Sequence, residues 1–106
     1  NRTLENAKQI AAQFPAKIID FVTIPDENYD IMINTLPLAV FTQTKFIEWL
    51  NTILQHHPIV MDANYNRDKN LLLELCKHHD CTVIPGEAMF INQAIAQFSY
   101  WFKEQA

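Results

Sequence analysis

A chain of 106 residues is one domain at most, with material for a single core. Its 12 acidic and 8 basic residues, with no Lys/Arg cluster, exclude the electrostatic footprint of a nucleic-acid binder. No apolar run reaches the about 18 residues a membrane helix needs, and no secretory leader pattern is recognisable, so the expected location is cytoplasmic.

Thr3 reads as the N-cap of a helix over about 4–14, a surface helix covering a sheet, in which Leu4, Ala7, Ala11 and Phe14 recur at helical spacing before Pro15. Lys17 to Val22 and Tyr29 to Asn34 are short, rich in Ile and Val, and bounded by turn residues, which is strand behaviour. Gln43 to His57 carries Phe46, Trp49, Leu50, Ile53 and Leu54 on one helical stripe and stops at Pro58. Pro58 to Asp62 is nearly continuous in apolar residues, as expected of a parallel strand buried on both faces. A helix over 68–79, a strand over 81–84 and a final helix over 85–106 complete the reading. The order helix, strand, strand, helix, strand, helix, strand, helix predicts an α/β fold with a mostly parallel sheet.

The final helix places Met89 and Gln93 one turn apart on a shared face. Phe90, Ile91, Ala94, Ile95, Phe98, Trp101 and Phe102 fill the other side. Read alone, this is an amphipathic core helix with a Gln on its exposed edge. Cys76 and Cys81 read as reduced thiols. The string Cys76-Lys77-His78-His79-Asp80-Cys81 has ligand types suited to zinc but none of the usual spacings, so no metal is expected. His78 and His79, like His56 and His57, read as partners of a negative helix C-terminus. Gly86 is the one glycine, which rules out a Gly-x-Gly-x-x-Gly phosphate turn within the chain. With a start at Asn1 and no initiator Met, the expectation is an excised piece whose phosphate-binding loop lay upstream.

Four segments carry a resemblance. The last helix reads Gly86-Glu87-Ala88-Met89, then Gln93-Ala94, Phe98 and Trp101; the chain opens Asn1-Arg2-Thr3; Tyr29-Asp30-Ile31-Met32-Ile33-Asn34 forms a strand; and Asp62-Ala63-Asn64-Tyr65-Asn66 is followed by Leu72-Leu73. In this order and spacing they resemble the shikimate dehydrogenase family, across the whole chain. The chain departs from the family pattern at Asn34-Thr35-Leu36-Pro37-Leu38-Ala39-Val40, where a hydroxyl and a glycine are lost, at Arg67 in place of Pro, and at Asn70 in place of Thr.

The resemblance implies that residues 1–106 are the C-terminal portion of an NADP-binding domain, a partial Rossmann-like doubly wound sheet containing strands three to six of the order 3-2-1-4-5-6. It implies NADP held by Asn1, Arg2 and Thr3, since a 2′-phosphate calls for Arg and neutral donors. Asn34, Thr35, Ala63, Gly86 and Met89 are implied near the nicotinamide end, with Gln93 and Tyr65 holding shikimate. The implied reaction is hydride transfer between NADPH and 3-dehydroshikimate. The family's Lys and Asp lie in an N-terminal substrate domain, so no catalytic residue is assigned in this chain and the isolated piece is expected to be inactive. No nucleic-acid or membrane partner is expected. Unpaired sheet edges favour re-pairing of strands, domain exchange or a homo-oligomer, or pairing with the missing N-terminal part. The alternative function is a non-catalytic α/β interaction or regulatory module on the same scaffold.

Overall fold

The computed structural model describes residues 3–19, 28–37, 39, 42–64 and 70–103. The order of elements is α1 (Leu4–Ala11), β1 (Ile31–Asn34), α2 (Thr44–Leu54), β2 (Ile59–Asp62), α3 (Leu71–His78), β3 (Val83–Ile84) and α4 (Gly86–Lys103). The strands form a parallel sheet ordered β1-β2-β3, with Met32 beside Val60, Asn34 beside Asp62, and Val60 beside Val83. An α/β fold with a partial Rossmann-like sheet is therefore present. Of the strand expected over 17–22, residues 17–19 are not in a strand, and 20–22 lie outside the described residues.

Helices α2 and α3, the two crossovers between the strands, contact one another on one side of the sheet. Side chains alternate across a strand, so Met32, Val60 and Val83 face these helices. There they meet Phe46, Leu50 and Leu54 of α2 and Leu72 and Cys76 of α3. Leu54, Val60 and Leu72 are fully buried, each contributing about 1.5–3 kcal/mol of transfer free energy. The stripe read along α2 is the buried one.

The helix ends are closed without glycine. Asp80 takes the left-handed conformation (φ 54°), and the Cys81 and Asp80 N–H groups donate to the Cys76 and Lys77 carbonyls at 2.9 and 3.3 Å, ending α3 in a Schellman turn. His57 has the same φ after α2. Its Nδ1 lies 2.7 Å from the His79 carbonyl oxygen, while His79 Nε2 lies 2.8 Å from Asn51 Oδ1. These two histidines therefore bind α2 to the end of α3, which is more than a favourable charge at a helix terminus.

Three expectations are corrected. The strand over Pro58–Asp62 is buried on one face, because Ile59 remains exposed. Helix α1 has no buried residue and so does not cover the sheet. On α4 Gly86 alone is buried, and the apolar side expected to pack is open, with Ile91, Ile95, Phe98, Trp101 and Phe102 all more than half exposed. Among the described residues no helix is long and apolar enough to cross a membrane.

Both cysteines are free. Burial first, then the nearby Cys81 and Asp62, pushes the Cys76 thiol from its ordinary 9.0 up to about 12. Cys81 is also raised, by burial and then by Asp80. The unfolded chain releases the Cys76 proton near pH 9.0, whereas the folded chain keeps it until about pH 12. This contribution to stability is thus complete below the lower value and is lost as pH rises, with a slope of about 1.4 kcal/mol per pH unit. Urea unfolding as a function of pH is expected to show this alkaline decline, and Cys76→Ala is expected to show a shallower one, with the part due to Cys81 remaining.

Candidate functional site at the strand ends

Both β1 and β2 finish in the same local device. Asn34 Oδ1 accepts from the Leu36 N–H at 3.0 Å, and Asp62 Oδ1 accepts from the Asn64 N–H at 3.1 Å. In each, the last polar side chain of a strand bonds the backbone two residues on, so the chain turns away from the sheet. Because Asn34 and Asp62 are register partners on the helix-covered face, their side chains also meet, Asn34 Nδ2 donating to Asp62 Oδ1 at 2.9 Å.

Asp62 has no exposed surface. Asn64 Nδ2 adds another bond to Oδ1 at 2.9 Å, and Asn70 Nδ2 donates to Oδ2 at 2.6 Å. Four neutral N–H donors thus reach the carboxylate, three on Oδ1 and one on Oδ2, and charge-assisted bonds of this length replace the hydration lost on burial. Asn70 is also the N-cap of α3, its Oδ1 accepting from Leu73 N–H at 3.3 Å. The Leu36 carbonyl receives Asn64 Nδ2 at 2.9 Å and Asn34 Nδ2 at 3.3 Å. One buried carboxylate therefore joins the loop after β1, the loop after β2 and the start of α3.

Helix α4 begins against this cluster. A Cβ on Gly86 would stand 2.4 Å from the Asn64 carbonyl oxygen and 2.6 Å from that of Asp62. These are backbone atoms held by the cluster, so no side chain fits. Gly86 is not in the left-handed region; close packing of backbone on backbone is what demands it here.

Among the residues singled out from sequence, Asn34 is buried at the end of β1, Thr35 is exposed beside it, and half-buried Ala63 donates its N–H to the Asn34 carbonyl at 2.9 Å. With Gly86, these residues gather at the C-terminal ends of β1 and β2, the side on which open α/β sheets bind ligands. Met89 follows one turn along α4, half-buried, and Gln93 a further turn on, exposed. Thr3 is at the exposed N-terminus of α1, in the N-cap position but without a side-chain capping bond. Asn1, Arg2 and Tyr65 lie outside the described residues. Asp62, Asn64 and Asn70 were not singled out as site residues. The available signal was an acidic residue ending an apolar strand, with Asn at positions two and eight beyond it.

Two grooves lie elsewhere and are apolar. One of about 610 Å³ runs along Ile91, Ile95, Phe98 and Phe102 of α4, and one of about 300 Å³ lies by Ile31, Ile33 and Trp49 at the β1 edge. Among the described residues, no group of three or more His, Cys, Asp or Glu side chains could hold a metal ion.

The chain is 32% identical, over 95% of its length, to a shikimate dehydrogenase (NADP(+)) of Maridesulfovibrio salexigens, covering 38% of that protein. It is 31% identical over 99% of its length to a shikimate dehydrogenase (NADP(+)) of a Ruegeria species, covering 39% of it. A shikimate biosynthesis protein AroDE of Chlamydia pneumoniae is 33% identical over 98% of the chain, which covers 20% of that protein. The chain thus spans about two-fifths of the length of the dehydrogenases it matches. No family model matches it, and no solved structure matches it.

Removing the charge of Asp62 tests the cluster. Asp62→Asn presents an amide to amide donors and is expected to cost about 2–4 kcal/mol, read from the urea midpoint. Adding Asn70→Asp restores a donor for every acceptor while keeping an N-cap oxygen. The double variant is expected to return to within about 1 kcal/mol of the parent.

Proposed function

The chain being a relative of the shikimate dehydrogenases, we propose that residues 1–106 form the C-terminal portion of the cofactor domain of an NADP-dependent enzyme reducing 3-dehydroshikimate to shikimate. The observation that carries this reading is similarity along 95–99% of the chain to proteins of that name. The strand-end cluster supports it by presenting uncharged groups on the ligand-binding side of a parallel sheet.

Those groups fit a nicotinamide. Gly86 brings backbone close against the end of β2, Thr35 offers a neutral hydroxyl and Ala63 a backbone carbonyl, and the Met89 thioether offers a soft surface to an aromatic ring. Asn34 holds its loop through the Leu36 N–H. Arg2, with Asn1 and Thr3, would meet the 2′-phosphate that distinguishes NADP from NAD. When bound, the cofactor supplies the hydride. Gln93, with an amide that both donates and accepts, would hold hydroxyls of the sugar acid, and Tyr65 would add a phenolic hydroxyl from the loop after Asn64. No side chain of this chain is assigned the proton transfer, so the isolated polypeptide is expected to be inactive.

A non-catalytic α/β interaction or regulatory module is the second reading, favoured by the departures over Leu36–Val40. A chimera separates the two. This chain is substituted for the matching stretch of the Maridesulfovibrio salexigens relative, and NADP reduction with shikimate is assayed. Activity is expected in the chimera and none in the isolated chain. Gln93→Ala in the chimera is expected to raise KM for shikimate about 10-fold or more, with KM for NADP little changed. A folded chimera without turnover would support the interaction module.

A further inference from the structure

The two thiols of this chain lie away from the strand-end site, and the turn that ends α3 brings them together. In that Schellman turn Cys76 and Cys81 occupy the two positions whose side chains the motif ordinarily packs against each other. Cys76 belongs to the buried core, and half-buried Cys81 packs against the same core. The backbone fixes how far apart they can be. A carbonyl oxygen lies about 2.4 Å from its own Cα, and an amide nitrogen about 1.5 Å from its own. The 2.9 Å bond from the Cys81 N–H to the Cys76 carbonyl therefore holds the two Cα atoms within about 6.8 Å, the range that disulfides span.

Nothing else in the turn has to be given up for the sulfurs to join. The Cys81 thiol donates to the Leu54 carbonyl at 3.4 Å. That carbonyl also receives the His57 N–H at 3.0 Å, so it keeps a partner without the thiol. The His79 carbonyl, 3.9 Å from Cys81 Sγ, likewise keeps His57 Nδ1 at 2.7 Å.

We propose that Cys76 and Cys81 are a dithiol pair that closes to an intramolecular disulfide across the end of α3, with a small-molecule disulfide such as oxidised glutathione as the oxidant. Cys81 meets the reagent first, since Cys76 has no exposed surface. The Cys81 thiolate attacks one sulfur of the reagent and breaks its S–S bond; a mixed disulfide forms, and one small thiolate leaves and takes up a proton. The Cys76 thiolate then attacks Cys81 Sγ, which forms the protein S–S bond and releases the second small thiolate, protonated in turn. Two cysteine S–H bonds become two S–H bonds of the small thiol, one S–S bond replaces another, and two electrons pass from the cysteines to the reagent. Burial raises both thiols, so exchange quickens as pH rises. The bond would fasten the core of α3 to the entry of β3. That strand is two residues long and leads through Pro85 into α4. The pair does not depend on the dehydrogenase reading.

The full chain is equilibrated with mixtures of reduced and oxidised glutathione at about pH 8, quenched with acid and weighed by mass spectrometry, once folded and once in concentrated urea. The folded chain is expected to accumulate a form lighter than the dithiol by two hydrogen atoms, with little glutathione adduct. Lys77 lies between the cysteines, so trypsin is expected to release their two peptides still joined. The equilibrium constant for closure is expected to be at least about 10-fold larger in the folded chain than in urea, because a bond that fits the native turn favours the native state. Cys76→Ala is expected to retain glutathione on Cys81, the adduct that the parent discharges by closing. A folded chain that stays a dithiol, keeps glutathione without closing, or joins only to a second chain would overturn the proposal. So would closure no more favourable than in urea.

Discussion

Burial of one charged carboxylate sets the geometry of this molecule. Asp62 is removed from water at the end of β2, and an uncompensated charge there would be prohibitive. The compensation comes from neutral amides on three separate stretches of chain, Asn34, Asn64 and Asn70, none adjacent in sequence to another. Each amide makes a second bond that restrains its own loop or helix start. Asn34 and Asn64 hold the Leu36 carbonyl, and Asn70 caps α3. Satisfying the charge and shaping the strand ends are therefore the same act.

The same cluster explains how the single glycine is used. The helix ends at His57 and Asp80 adopt the left-handed conformation with ordinary side chains, a modest strain. No such tolerance exists at position 86, where the obstacle to a side chain is the carbonyls of Asp62 and Asn64, held by the carboxylate bonds. Conformational preference bends, whereas overlap with fixed backbone does not.

Local pattern made the covered half of the fold legible. Apolar spacing along Phe46, Leu50, Ile53 and Leu54 named the buried face of α2, and Pro58 and turn residues bounded β1 and β2. The positions of Asn34, Thr35, Ala63 and Gly86 could be anticipated from their motifs, but not the interaction that gathers them. Asn70 reads in sequence as a departure from a threonine, and only the folded chain shows it reaching eight residues back to Asp62. Periodicity also marked an apolar side on α4 without identifying what would cover it. A stripe records that a partner is needed, and burial in one chain tests only the partners that chain contains.

This asymmetry between faces bears on how the strand ends can act. On the covered face, α2 and α3 pack against Met32, Val60 and Val83, and the hydrogen-bonded carboxylate lies beneath the start of α3. On the other face Ile31, Ile33, Ile59 and Ile84 stay exposed, with no second layer on the sheet among the described residues. Rigidity therefore reaches the strand-end loops from one side: the backbone of Leu36, Asn64 and Gly86 is held through Asp62, whereas Met89 and Gln93 depend on the course of α4. A ligand contact made by the first group is built into this chain. One made by Gln93 requires α4 itself to be seated, because seven residues of helix beyond Gly86 carry that amide about 10 Å from the last fixed point. Position along α4, more than the identity of the amide, decides whether Gln93 can bind anything with precision.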